Sequence, residues 1–307
     1  MMHSILKIFL VIRKKIFFLV ISVFLINGCV NTETKNYSKP DDLSSDFQTI
    51  IHQGVNREYV LYVPDSYDGS FSVPVVLNFH GFSGDAYQYM NEADMRRLAE
   101  AETFILIYPQ GLDLDGEPHW NACPNGGDNK SDIDDFGFIE TLVEEVSSNY
   151  NIDLERIYAV GYSNGGMMAY GLANHKSELI AAVASVSGAM LDCTGPTSHP
   201  MPVIHLHGTD DFDLPYNGNN YYNSVQNTLD YWTNFNNTNS EPIVNFDNIG
   251  EIEIEHYIYN NGNNSVSVEH YKYIGGDHLW FMSSFQGQNT SELVWNFLSR
   301  YDLNGLR

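Results

Sequence analysis

Apolar residues along this chain fall into two recurring patterns. Continuous apolar runs occupy Pro74 to Phe79, Phe104 to Tyr108, Arg156 to Val160, Ile180 to Val186 and Met201 to Leu206. Each is too short for a typical helix and has turn-forming residues nearby, the signature of strands buried on both faces. Between them come stretches with helical spacing: Met90 to Ala101, Asp134 to Tyr150, Met167 to Ala173, Val225 to Phe235 and Thr290 to Tyr301. In the second of these, Phe138, Leu142, Val143 and Val146 share one face. Strands alternating with helices predict an α/β fold, a mostly parallel central sheet with helices on both faces. Phe47 to His52 and Glu58 to Val63, joined through Gly54, read as an antiparallel pair at a sheet edge. Glu251 to Tyr259 and Ser265 to Tyr273 are strand-like. Leu112 to Asp132 has no periodicity and many Gly, Asn and Asp, so a long surface loop is expected there, of a length often tied to function. No internal repeat or composition break divides residues 47–307, which read as one domain.

The first residues follow a different logic. Lys7, Arg13, Lys14 and Lys15 precede the apolar run Ile16 to Ile26, which suits a secretory signal over residues 1–28. It ends in Leu25-Ile26-Asn27-Gly28-Cys29, which resembles a bacterial lipobox with Cys29 as the lipidated first residue, although Asn27 stands where a small residue is usual. Residues 29–46 are polar and read as a flexible tether. The expected location is therefore outside the cytosol, as an outer-membrane or cell-surface lipoprotein or else periplasmic or secreted, touching membrane only through the anchor. With Cys29 lipidated, only Cys123 and Cys193 remain, and in an oxidising compartment they are expected to form a disulfide. The formal charge of -24 argues against nucleic acid and other polyanions as partners. The acidic residues are dispersed as on a solvated surface, and a neutral polymer or small ester remains compatible.

The candidate chemistry centres on Val160-Gly161-Tyr162-Ser163-Asn164-Gly165-Gly166, where a buried strand runs into a helix. Gly161 and Gly165 flank Ser163 as in a nucleophile elbow, which would present the hydroxyl at the helix N-terminus. A serine needs a base to become nucleophilic, and the base needs a carboxylate to orient it. Asp211, beyond the Met201 to Leu206 strand, and His278, beyond the Ser265 to Tyr273 strand, give the order Ser163, Asp211, His278, that of the α/β-hydrolase fold. Asp210 and Asp213 are alternative acids. His205 and His207 share one strand face and suggest a metal pair, but no third ligand accompanies them, so buried hydrogen-bonding histidines are expected. His256 and His270 lie within strands and are weaker candidates for the base. Asp113-Leu114-Asp115-Gly116 lacks the further positions of a calcium loop and reads as a turn. The backbone N–H groups of Phe82 and Asn164 are the expected oxyanion hole, with His80-Gly81 as the close-approach turn. Phe82, Trp120, Tyr216 and Trp280 are aromatic candidates for the walls of an acyl or sugar site, with His80 beside them.

Several segments together resemble the exported polyhydroxybutyrate-depolymerase-like and feruloyl esterases, a branch of the α/β hydrolases related to family-one carbohydrate esterases. They are Pro74 to Gly81, Leu98 to Gly111, Trp120 to Cys123, Asp134 to Ile139, Val160 to Gly166, His207 to Tyr216 and Gly275 to Trp280. The resemblance implies Ser163 as nucleophile, Asp211 as acid and His278 as base. Phe82, where a cysteine is frequent, and Asp277, where a third glycine is usual, depart from it and leave the acyl preference open. The expected activity is ester hydrolysis through an acyl-enzyme, with no metal or organic cofactor, on feruloyl or acetyl esters of a polysaccharide. A hydroxyalkanoate polyester is the alternative substrate, and a non-catalytic carbohydrate-binding surface lipoprotein the alternative of another class.

Overall fold

The computed structural model describes residues 47–307 apart from residues 125, 128, 251 and 284. The expected signal at 1–28, the tether at 29–46 and lipidation at Cys29 lie outside the described residues. The strands are β1 (Gln48–His52), β2 (Val55–Tyr62), β3 (Val73–Phe79), β4 (Ile105–Pro109), β5 (Leu112–Leu114), β6 (Glu117–His119), β7 (Ile152–Tyr162), β8 (Ala182–Val186), β9 (Val203–Gly208), β10 (Ile243–Ile249), β11 (Ile252–Tyr259), β12 (Val268–Tyr273), β13 (Tyr301–Asp302) and β14 (Gly305–Leu306). The helices are α1 (Ala86–Glu92), α2 (Arg96–Glu102), α3 (Asp135–Asn149), α4 (Asn164–His175), α5 (Val225–Asn236) and α6 (Thr290–Leu298).

One sheet has the order β1-β2-β4-β3-β7-β8-β9-β12-β11-β10. Its centre, from β4 to β12, is parallel, and antiparallel hairpins extend it at both edges. Side chains of the central strands alternate between two cores. Leu77, Ile107, Ala159 and Val203 join α3, α4 and α5 on one face, while Val76, Leu106, Val160 and Ile204 join α1, α2 and α6 on the other. Both faces are therefore covered, which is why these strands read as unbroken apolar runs.

The edges and connections depart from the expected pattern in three places. The helix expected over 90–101 is two helices, because the Asp94 carboxylate accepts the Arg96 N–H at 2.9 Å in a local turn that competes with helical bonding. The expected loop at 112–132 contains the β5–β6 hairpin, closed by Asp115 and Gly116 at φ of 54° and 90°, both in the left-handed region that a tight hairpin turn requires. Between the expected helix ending at Phe235 and the expected strand from Glu251, where no element was expected, lies β10, whose residues pair with β11 alone and so carry no continuous apolar run.

Cys123 and Cys193 form a disulfide with their Cα atoms 5.8 Å apart, tying the loop before α3 to the loop after β8. Their separation of 70 residues closes a long loop, for which the chain-entropy argument gives about 4 kcal/mol of stabilisation. The Cys123→Ser/Cys193→Ser double variant is expected to lose stability on that scale in urea unfolding. A loss below about 1 kcal/mol would show that the bridge constrains the unfolded chain little.

Candidate active site

The elbow follows from what the backbone allows at the end of β7. Ser163 adopts φ of 54° and ψ of −121°, a conformation that costs a non-glycine residue about 1–3 kcal/mol and persists only where the surroundings impose it. A Cβ on Gly161 would lie 2.1 Å from the Gly165 carbonyl oxygen, and one on Gly165 would lie 2.1 Å from that of Phe79. The end of β3, the end of β7 and the start of α4 thus touch where no side chain fits. The Ser163 N–H donates to the Val186 carbonyl at 2.9 Å. Its Oγ projects into a cavity of about 890 Å³ at the C-terminal ends of the parallel strands.

His278 meets that hydroxyl from the loop after β12. Its Nε2 lies 2.9 Å from Ser163 Oγ and its Nδ1 2.8 Å from Asp211 Oδ2. A carboxylate only accepts, so the Asp211 contact puts the imidazole proton on Nδ1 and leaves Nε2 to accept the serine O–H. The loop is pinned on two sides: the Tyr162 hydroxyl donates to the His278 carbonyl and the Ser187 hydroxyl to the Leu279 carbonyl, both at 2.9 Å. It also presses on the loop after β9. A Cβ on Gly208 would lie 2.1 Å from the Gly276 carbonyl oxygen, and the Asp210 N–H donates to that oxygen at 2.9 Å.

Of the three acid candidates, Asp211 alone is brought to His278 by a hydrogen bond. Asp210 accepts from the Thr209 hydroxyl, and Asp213 lines the cavity. Burial would raise the Asp211 carboxyl, but hydrogen bonds from His207, His278 and the Leu214 N–H outweigh it and hold the group well below the usual carboxylate range.

Phe82 and Asn164 line the same cavity as Ser163. Asn164 is the first residue of α4, so its N–H has no acceptor within the helix. Its side chain accepts from the Trp120 N–H at 2.7 Å and donates to the Trp120 carbonyl at 3.1 Å, fixing one wall. The neighbouring Asn121 N–H donates to Asp135, which is paired with buried Arg57 at 2.7 Å.

Of the four residues expected to contact substrate besides Phe82, only Trp120 lines the cavity. His80 is buried. Its Nε2 accepts the Gly111 N–H at 3.0 Å, its Nδ1 donates to the Gly81 carbonyl at 2.6 Å, and burial lowers its pKa to about 4. It braces the turn from beneath. Tyr216 donates to His270 at 2.8 Å, and Trp280 packs edge-on against Tyr89, both away from the cavity. Among the walls the sequence did not reveal are Lys130, Leu191, Asp192, Tyr221 and Tyr222. They sit in irregular segments with no periodicity, and the only signal was the length of the loop carrying Lys130. His205 and His207 bond to each other at 3.1 Å. Among the described residues no group of three or more His, Cys, Asp or Glu side chains is arranged to hold a metal ion.

The model of the Esterase PHB depolymerase family matches residues 57–211. A bifunctional acetylxylan esterase/xylanase of Neocallimastix patriciarum is 29% identical over 164 residues, which are 53% of this chain and 23% of that protein. Feruloyl esterase C of Emericella nidulans is 28% identical over 180 residues, 56% of this chain and 62% of that protein. The chain thus spans less than two thirds of the length of either. Among solved structures, an acetyl xylan esterase from Aspergillus awamori superposes with a TM-score of 0.59 at 17% identity, covering 83% of this chain and 99% of that one. A thermostable esterase superposes with a TM-score of 0.54 at 16% identity, covering 83% and 62%. These likenesses show the α/β-hydrolase fold.

Two outcomes test this geometry. Gly165→Ala is expected to lower the unfolding free energy by about 3 kcal/mol, because backbone must move to admit the methyl group. Unchanged denaturant melts would mean that the elbow relaxes freely. The depressed Asp211 pKa contributes stability that is present above the unfolded-state value near 4 and is lost as pH falls toward the native value. The stability gap between wild type and Asp211→Asn should therefore be widest above about pH 5 and close below about pH 4. A gap that stays constant between about pH 6 and pH 3 would contradict the assignment.

Proposed function

The chain belongs to the esterase PHB depolymerase family, and on that premise we propose that it is an exported serine esterase acting on carboxylic esters, with feruloyl or acetyl esters of a polysaccharide as substrates. The observation that carries the reading is the continuous run from Ser163 Oγ through His278 to Asp211, with bonds of 2.9 and 2.8 Å, at the floor of a cavity large enough for an aryl ester. His278 takes the Ser163 proton as the oxygen attacks the ester carbonyl, and Asp211 stabilises the imidazolium that forms. The N–H groups of Phe82 and Asn164 hold the oxyanion. The tetrahedral intermediate collapses as His278 protonates the departing alcohol. Water, deprotonated by the same imidazole, then releases the acid from Ser163.

The cavity wall supports the substrate class. Trp120, Tyr222, Met167, Leu191 and Leu214 offer an apolar surface to the acyl group, while Asn220, Asp192 and Asp213 suit sugar hydroxyls. The relatives named acetylxylan and feruloyl esterases support the same reading. Export is supported by the Cys123–Cys193 disulfide, which persists in oxidising compartments. A second reading, a hydroxyalkanoate polyester as substrate, is favoured by Phe212, next to Asp211 in the chain, and Met282, four residues after His278, which are 89% and 79% exposed and would suit an apolar polymer surface.

Hydrolysis of p-nitrophenyl acetate, methyl ferulate and short hydroxybutyrate oligomers separates these readings. Ser163→Ala is expected to lower kcat/KM on the preferred ester by about a millionfold. Activity that survives this substitution would remove the mechanism, and preference for the oligomers over methyl ferulate would select the polyester reading.

A further inference from the structure

The hydrogen-bonded run does not stop at Asp211. The same Asp211 Oδ2 lies 3.1 Å from His207 Nε2, and that nitrogen is also 2.8 Å from the Leu214 carbonyl oxygen. His207 Nδ1 is 3.1 Å from His205 Nε2, and His205 Nδ1 is 2.8 Å from the Tyr170 hydroxyl. All four side chains are buried. Both neighbours of His207 Nε2 are acceptors, so that nitrogen carries a proton. With Tyr170 donating to His205 Nδ1, the His205 Nε2–H donates to His207 Nδ1, and the His207 Nε2–H is shared between the Leu214 carbonyl at 2.8 Å and Asp211 Oδ2 at 3.1 Å.

We propose that His207, held by His205 and Tyr170, is a positioning residue for Asp211: a second imidazole that fixes the carboxylate so that one oxygen faces His278. The assignment rests on the reading of Ser163, His278 and Asp211 given above. A carboxylate on a loop has two rotational freedoms. The Leu214 N–H holds Oδ1 at 2.8 Å and leaves rotation about that bond open. The His207 Nε2–H, against the same Oδ2 that His278 meets, restricts it. The other groups facing His207 are Tyr216, whose ring centroid is 5.9 Å away, and His270, which bonds Tyr216 and the His205 carbonyl. Neither replaces the donor to Asp211. His207 also splits the Asp211 charge between two imidazoles. Loss of its N–H would leave Asp211 to bind the proton of His278 more strongly, even as the carboxylate loses its orientation.

The test compares wild type, His207→Leu and His207→Gln on p-nitrophenyl acetate, with kcat expressed per site titrated by a phosphonate that labels Ser163. In His207→Leu, kcat is expected to fall about 30-fold with KM within about twofold, since misplacing a reacting group acts on the transition state. The acid limb of its kcat/KM profile is expected to move to higher pH by at least about 0.5. His207→Gln, whose amide N–H reaches the position of Nε2, is expected to recover kcat to within about threefold of wild type. A His207→Leu protein with wild-type kcat per titrated site and an unmoved acid limb would overturn the proposal, as would failure of glutamine to rescue. Should His207→Leu not fold, nitrogen-15 NMR of histidine-labelled wild type decides: a protonated His207 Nε2 is expected, and a bare one overturns the assignment. Ser163→Ala run in parallel keeps the two inferences apart, because activity surviving there refutes the nucleophile and leaves the NMR outcome standing.

Discussion

The organising constraint is steric. At one point in the sheet the backbone of β3, the end of β7 and the first turn of α4 come into contact, with room for Gly161 and Gly165 but for no methyl group. A chain forced through so tight a turn cannot place residue 163 in an ordinary helical or extended conformation, so Ser163 occupies a positive φ with its hydroxyl held above the sheet. The same contact sets the first residue of α4 beside the turn after β3, which is why Phe82 and Asn164 border one cavity. The strain is local, and it is sustained by two cores that clamp both faces of the sheet.

The remaining groups reach the site because parallel strands end on one side. β3 leads to Phe82, β7 to Ser163, β9 to Asp211 and β12 to His278, each over a few residues. Short reach from a rigid strand costs little conformational entropy, and contacts such as Gly208 with Gly276 register one loop against the next. Asp211 accepts from His278 and the Leu214 N–H and lies 3.1 Å from His207 Nε2, with no fixed cation among those partners. Such an arrangement keeps the carboxylate ionised in a buried setting.

Much of this was legible in the residue pattern. The apolar runs marked the central strands because those strands are buried on both faces, and the Gly161-Tyr162-Ser163-Asn164-Gly165 spacing marked the elbow because its requirement is local. The β1–β2 hairpin was legible for the same reason, with Gln53 and Gly54 at φ of 50° and 81° in the turn. The β5–β6 hairpin, β10 and the break between α1 and α2 were not. The two β elements are short or exposed and pair with only one strand, so burial writes no period into them, and the helix break comes from a local Asp94 turn that apolar spacing does not report.

The sequence by itself therefore determined the α/β architecture and the position of Ser163 in its elbow, since these follow from burial periodicity and from turn geometry within a few residues. Only the tertiary structure decided which of three neighbouring aspartates meets His278, that His80, Tyr216 and Trp280 stand away from the cavity that Trp120 lines, and that His207 lies against the carboxylate. Those outcomes depend on the rotation of side chains within loops and on contacts between residues far apart along the chain. Residue type and spacing do not encode either one, because many loop paths satisfy the same local preferences and long-range packing selects among them.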